Sequence, residues 1–126
     1  MADENKMSRQ YKVLLVDDDI IFGKIIQVLA AEENISLTYV KNVRDAYQLS
    51  NWSFDMAIID YDLGAVTGIQ LSYFLEHYLK PKAVLLVSAH PEVEKKTWPE
   101  CVKDFVNKSD GPMPILRAAK KLLQLK

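Results

Sequence analysis

Apolar and polar positions follow two rhythms along this chain. Val13-Leu-Leu-Val16, Met56-Ala-Ile-Ile59 and Ala83-Val-Leu-Leu-Val87 are continuous apolar runs. Short runs without a polar interruption suit strands buried on both faces. Ser36 to Val40, short and β-branched, reads as an edge strand, and Val102 to Asn107 as a fifth strand. Between the strands apolar residues recur at helical spacing. Phe22, Ile25, Ile26, Leu29 and Ala30 mark a first helix ending near Asn34; Val43, Ala46, Tyr47 and Leu49 mark a second, which Asn42 can cap. A third carries Leu71, Phe74, Leu75, Tyr78 and Leu79 on one face, with Thr67-x-x-Gln70 as a reciprocal cap at its start. A short, weak helix is expected from Glu92 to Thr97, before Trp98-Pro99 breaks it. Pro112 and Pro114 are tolerable only in a first turn, so the last helix starts near Gly111, with Ile115, Ala119, Leu122 and Leu123 inward.

Five strands alternating with five helices imply a parallel sheet with helices on both faces, because parallel strands need crossover connections. The expected fold is α/β, a three-layer doubly wound (βα)5 sandwich. Its strand order, 2-1-3-4-5, is borrowed from the common doubly wound architecture. A chain of 126 residues makes one domain, here 11–126, preceded by a flexible polar lead at 1–10.

Composition removes several classes of function. With 16 basic and 17 acidic residues the net charge is −1, and only Lys95-Lys96 and Lys120-Lys121 are adjacent lysines. No basic stripe is available for nucleic acid. No apolar run approaches the roughly 20 residues of a membrane span. Met1 to Gln10 lacks the apolar centre of a signal peptide, so a cytoplasmic location is expected. Cys101 is the lone cysteine; it can form no internal disulfide, and it reads as a small hydrophobe or surface thiol.

Candidate chemistry lies where the strands stop. The first ends in Asp17-Asp18-Asp19, the third in Asp60, the fourth in Ser88 and the fifth in Lys108. Each has a plain structural explanation: Asp19 can cap a helix, Ser88 can satisfy a turn, Lys108 can be solvated. In the 2-1-3-4-5 order, however, these exits line one crevice, and so many coincidences on one edge point to a site. Crowded carboxylates raise one another's pKa unless a cation neutralises them. Hard oxygen ligands with room for water suit Mg²⁺. A carboxylate can itself attack phosphorus, and such a transfer needs little beyond positioning and charge neutralisation.

These residues resemble the receiver domains of two-component response regulators, which share the flavodoxin-like order. The resemblance runs from Lys12 to the last helix. It rests on Val-Asp-Asp at 16–18, Ile-Ile-Asp at 58–60 with Gly68 downstream, Val-Ser-Ala at 87–89 and Phe-Val-Asn-Lys at 105–108. It implies that Asp60 accepts a phosphoryl group from a histidine kinase or phosphotransfer protein, and that Asp17, Asp18 and Asp60 hold Mg²⁺. Asp62 would add its backbone carbonyl to the metal. Ser88 and Lys108 would bind the phosphoryl oxygens, and Phe105 would change rotamer with Ser88; plain core packing is the alternative for Phe105. The sequence departs from the family at Ser109 and Gly64, where receivers usually have proline, so a less rigid loop after Lys108 is expected. Asp62 adds a carboxylate beside the acceptor. The segment from Ser88 to Lys108 is short for the family and lacks its Gly-Ala-Asp turn.

Two other functions compete. Asp60-Tyr-Asp62 resembles the Asp-x-Asp of haloacid-dehalogenase-type phosphatases, but the motif lies mid-chain, position 64 is Gly, and the chain is short for that family. A non-phosphorylated scaffold module is the third reading. A receiver would catalyse only its own phosphorylation and dephosphorylation, and would signal by self-association or by an output protein docking on the 91–126 face.

Overall fold

The uninterrupted apolar runs form the centre of a five-stranded parallel sheet. In the computed structural model, which describes residues 10–49, 53–63, 66–78, 83–89 and 98–124, the parallel strands are β1 (Tyr11–Val16), β2 (Ile35–Val40), β3 (Met56–Asp60), β6 (Val84–Ser88) and β7 (Val102–Asn107). Their order is β2-β1-β3-β6-β7, which is 2-1-3-4-5 when only the parallel strands are counted. Leu14, Leu15, Leu85 and Leu86 are wholly buried, as strands covered on both faces require. Two short strands, β4 (Asp62–Leu63) and β5 (Val66–Thr67), pair antiparallel just after β3. The sequence suggested only a small-residue loop there.

The described helices are α1 (Ile20–Glu32), α2 (Val43–Tyr47), α3 (Gly68–Tyr78) and α4 (Pro112–Leu122). Side chains alternate across the strands, so each strand feeds two cores. Val13, Leu15, Ile58, Leu85 and Val87 pack with Ile26 and Ala30 of α1 and with Ile115, Leu116 and Ala119 of α4. Leu14, Val16, Ala57, Ile59, Val84 and Leu86 pack with Val43 and Ala46 of α2 and with Ile69, Leu71 and Leu75 of α3. These are the three layers expected of a doubly wound sandwich. No helix among the described residues is long and apolar enough to cross a membrane.

The local signals act as the residue types dictate. The Asn42 side chain accepts from the Asp45 amide at 2.7 Å and caps α2. Thr67 and Gln70 form their reciprocal cap, with the Thr67 amide on Gln70 Oε1 at 2.8 Å and the Gln70 amide on Thr67 Oγ1 at 3.2 Å. Pro112 opens α4 immediately after Gly111, whose φ of 88° suits a residue without a side chain. The first helix stops at Glu32, short of Asn34, which takes a left-handed φ of 61°. The expected helix at 92–97, the lead up to residue 9, Gly64 and Leu79 lie outside the described residues.

Candidate functional site

Strand register carries the chemistry to one edge. Val16 pairs with Ile59, Asp60 with Val87, and Ser88 with Asn107. Asp17 leaves β1 next to Asp60, Ser88 ends β6 one residue past the level of Asp60, and Lys108 follows β7. Carboxylate oxygens of Asp17, Asp18 and Asp60 lie within 4.8 Å of one another. Asp17 and Asp60 are buried and Asp18 is exposed. The Lys108 ammonium sits 2.9 Å from Asp17 Oδ2, 3.1 Å from Asp17 Oδ1 and 3.6 Å from Asp60 Oδ2.

Electrostatics follow from that crowding. Burial, and then the charge of Asp17, push Asp60 up to about 7, against the opposing pull of Lys108 and the Asp62 amide. Burial also raises Asp17, although Lys108 and the Asp19 amide partly offset it. Burial works against the charge on Lys108, but the hydrogen bond and charge of Asp17 and the charge of Asp60 outweigh it, and its pKa rises. Among the described residues the Lys108 ammonium, in contact with Asp17 and Asp60, is set against three clustered carboxylates, so a cation fits this site. Asp17 Oδ2 adds a specific reason. It is buried and close to Lys108, yet no donor among the described residues meets it in hydrogen-bond geometry. A buried oxygen with a spare lone pair, beside two further carboxylates, is a donor set for a hard divalent ion.

The main chain explains how the acids are held. Gly68 donates to the Tyr61 carbonyl at 2.7 Å, and a Cβ at Gly68 would stand 2.5 Å from the carbonyl oxygen of Asp60. Only glycine lets α3 approach the back of Asp60 so closely. Asp19 caps α1 by accepting from the Phe22 amide at 3.1 Å, while its own amide donates to Asp17 Oδ1 at 2.9 Å. The third aspartate of the triplet therefore orients the first.

Other expected site residues fall as follows. Asp62 is exposed on β4, and its carboxylate is not among the three that converge. Ser88 is fully buried and, by strand alternation, faces the same layer as Val84 and Leu86. Phe105 packs on that layer, with its ring centroid 6.2 Å from that of Trp98. The loop after Lys108 is held more firmly than the absence of proline suggests. Asn107 Oδ1 accepts from the Ser109 amide at 2.9 Å and from Ser109 Oγ at 2.7 Å, closing a 3₁₀ turn over Lys108–Asp110. Side-chain capping does there what a fixed φ would have done.

Two aromatic residues at the site escaped the sequence reading. The Lys108 ammonium lies 4.7 Å from the centre of the Phe22 ring, a cation–π contact. The Tyr39 hydroxyl donates to the Asp17 carbonyl at 2.7 Å. Phe22 had counted only as a helix-face residue. The sequence did carry one trace of Tyr39: Gly23, inside a helical pattern where glycine costs about 1 kcal/mol, signals a close neighbour.

No family model and no curated protein matches the chain. Solved structures do. A CheY-like response regulator receiver domain protein from Methanospirillum hungatei matches with a TM-score of 0.80, at 18% identity over 92% of this chain and 96% of that one. The receiver domain of the Francisella response regulator 1452 matches at 0.77, with 23% identity over 90% and 97%. The response regulator protein TrrA from Thermotoga maritima, solved in complex with Mg²⁺-BeF, matches at 0.76, with 20% identity over 89% and 98%. At these identities the likeness is one of fold. The chain has the fold of the response-regulator receiver domains, as the strand-end motifs led one to expect.

Proposed function

We propose that the protein is a phosphoacceptor receiver domain in which Asp60 takes a phosphoryl group from a phosphohistidine. The observation that carries this reading is the convergence of Asp17, Asp18 and Asp60 within 4.8 Å, next to Lys108, at the carboxyl edge of a receiver-type sheet. One oxygen of the Asp60 carboxylate attacks phosphorus in line. The N–P bond breaks, its electron pair stays on the imidazole nitrogen, and an acyl phosphate is left on Asp60. Asp17, Asp18 and Asp60, with the backbone carbonyl of Asp62, are the groups that would hold Mg²⁺. The ion, when bound, would offset the carboxylate charge and draw phosphoryl oxygens into place. Lys108 needs only a short swing from Asp17 to reach an oxygen on Asp60. Ser88 offers a hydroxyl donor from the neighbouring strand. The protein would turn over no other substrate.

A donor protein would approach over the mouth of the crevice, where α1 begins. Ile20, Ile21, Ile25 and Val28 are exposed along that helix, an apolar surface on which a donor helix could seat. Output would leave by the opposite layer. Drawing Ser88 toward the phosphoryl group opens space that Phe105 can fill, and Trp98 would sense the change. With Mg²⁺ and acetyl phosphate, intact-mass measurement should show one phosphoryl group gained, and Asp60→Asn should gain none. An equally labelled Asp60→Asn protein would place the acceptor elsewhere. Continuous phosphate release from a monoester would instead favour the phosphatase reading, in which Asp62 serves as an acid; its exposed carboxylate speaks against that.

A further inference from the structure

Asp17 is held from its neighbouring strand at both of its backbone groups. Its amide donates to the Val40 carbonyl at 3.2 Å, and its carbonyl accepts from the Tyr39 hydroxyl at 2.7 Å. That carbonyl belongs to the peptide plane joining Asp17 to Asp18. Fixing it restrains ψ of Asp17 and φ of Asp18 together, and so sets where both carboxylates point. On its way from β2 to that carbonyl the phenol ring lies flush against α1, and Gly23 leaves the room for it. A Cβ at Gly23 would stand 2.5 Å from both Cε1 and Cζ of the Tyr39 ring. Gly23 is buried near the start of α1, four residues in, where glycine weakens a helix without packing any side chain. The arrangement offsets that cost with a single hydrogen bond aimed at the aspartate loop.

We infer that Tyr39, admitted by Gly23, is a positioning residue that pre-sets the Asp17-Asp18 loop for a divalent cation. The inference rests on the reading of Asp17, Asp18 and Asp60 as a Mg²⁺ site and adds a residue that touches neither ion nor phosphoryl group. Partners that orient a metal ligand from behind commonly change metal affinity by about tenfold or more when removed. Tyr39→Phe keeps the ring and its packing and deletes only the hydroxyl. Gly23→Ala keeps the hydroxyl but displaces the ring that carries it.

The test is Mg²⁺ binding alone, without phosphodonor, followed by calorimetric titration and by amide NMR shifts in the full chain. Tyr39→Phe should raise the Mg²⁺ dissociation constant by about tenfold while the cation-free melting temperature changes little. Gly23→Ala should weaken Mg²⁺ similarly and lower the melting temperature as well; if it fails to fold, Tyr39→Phe carries the test. Tyr39→Phe that binds Mg²⁺ as tightly as wild type would reduce Tyr39 to a packing residue and overturn the inference, leaving the metal site standing. A wild-type protein that takes up no Mg²⁺ would overturn both.

Discussion

The two faces of the sheet treat the site differently. On the face packed by α1 and α4, nearly every group near Asp17 is tied down. Its carboxylate meets the Asp19 amide and Lys108, its carbonyl meets Tyr39, and Phe22 sits over the Lys108 ammonium. On the face packed by α2 and α3, the corresponding residues are Ser88, Phe105 and Trp98. There Phe105 and Trp98 are partly buried, their ring centroids 6.2 Å apart and their planes tilted at 36°. The proposed switch needs one region that holds its ligand constant and another that repacks, and the two sets of residues lie on opposite faces of the sheet. Binding of cation and transmission of signal should therefore respond to different substitutions.

The largest expected effect concerns the charge that both faces share. In cation-free protein the folded state keeps a proton on Asp60 up to about pH 7, because burial and Asp17 disfavour its ionised form. The unfolded chain releases that proton near the ordinary carboxylate value, so between those values the folded state binds more protons. Stability must then fall as pH rises from roughly 4 to 7, and level off above, with a total on the order of 4 kcal/mol. Raised Asp17 acts in the same direction. Urea unfolding across that range should show this slope, and Asp60→Asn should flatten most of it. A wild-type curve that rises with pH would mean the acids are already compensated, and the contrast between the faces would lose its electrostatic basis.

Next in size is metal linkage. Mg²⁺ at a hundred times its dissociation constant should stabilise the wild type by about 2.7 kcal/mol, a melting shift of roughly 8 °C for a chain of this size. Asp18→Ala should lose most of that response. Phe105→Leu, on the other face, should keep it. A Phe105→Leu protein that lost the Mg²⁺ shift would show the two faces to be one unit.

A smaller signal is expected from the movable face. Beryllofluoride with Mg²⁺ should change Trp98 emission in a Trp52→Phe background. Tyr39→Phe at saturating Mg²⁺ should show the same end point, because it alters affinity and not the repacking. Unchanged Trp98 emission would move output to the first helix or the hairpin after Asp60. The smallest effect tests the frame of that face: Gln70→Ala removes half of the reciprocal cap on α3 and should cost about 0.5–1 kcal/mol in thermal unfolding. The Mg²⁺ response should be untouched.

Much of this was readable in one dimension because it is local or periodic. Val13-Leu-Leu-Val16 suits a doubly buried strand beside alternating helices, Thr67 and Gln70 can cap only their own helix, and Asp17, Asp60, Ser88 and Lys108 stand where strands stop. Those features depend on a residue and its near neighbours. What needed the folded chain were contacts between side chains far apart in sequence, whose partners no spacing announces. Lys108 rests on Asp17, 91 positions away, at a shorter distance than on Asp60. Asn107 replaces the missing proline by capping the turn, which residue type permits but does not demand. Tyr39 and Gly23 meet only because parallel pairing of β1 with β2 lays α1 across that strand. A hydroxyl on an edge strand and a glycine in a helix are each unremarkable alone. Their meeting over the Asp17 carbonyl is set by close packing, where a single Cβ decides whether two elements can touch.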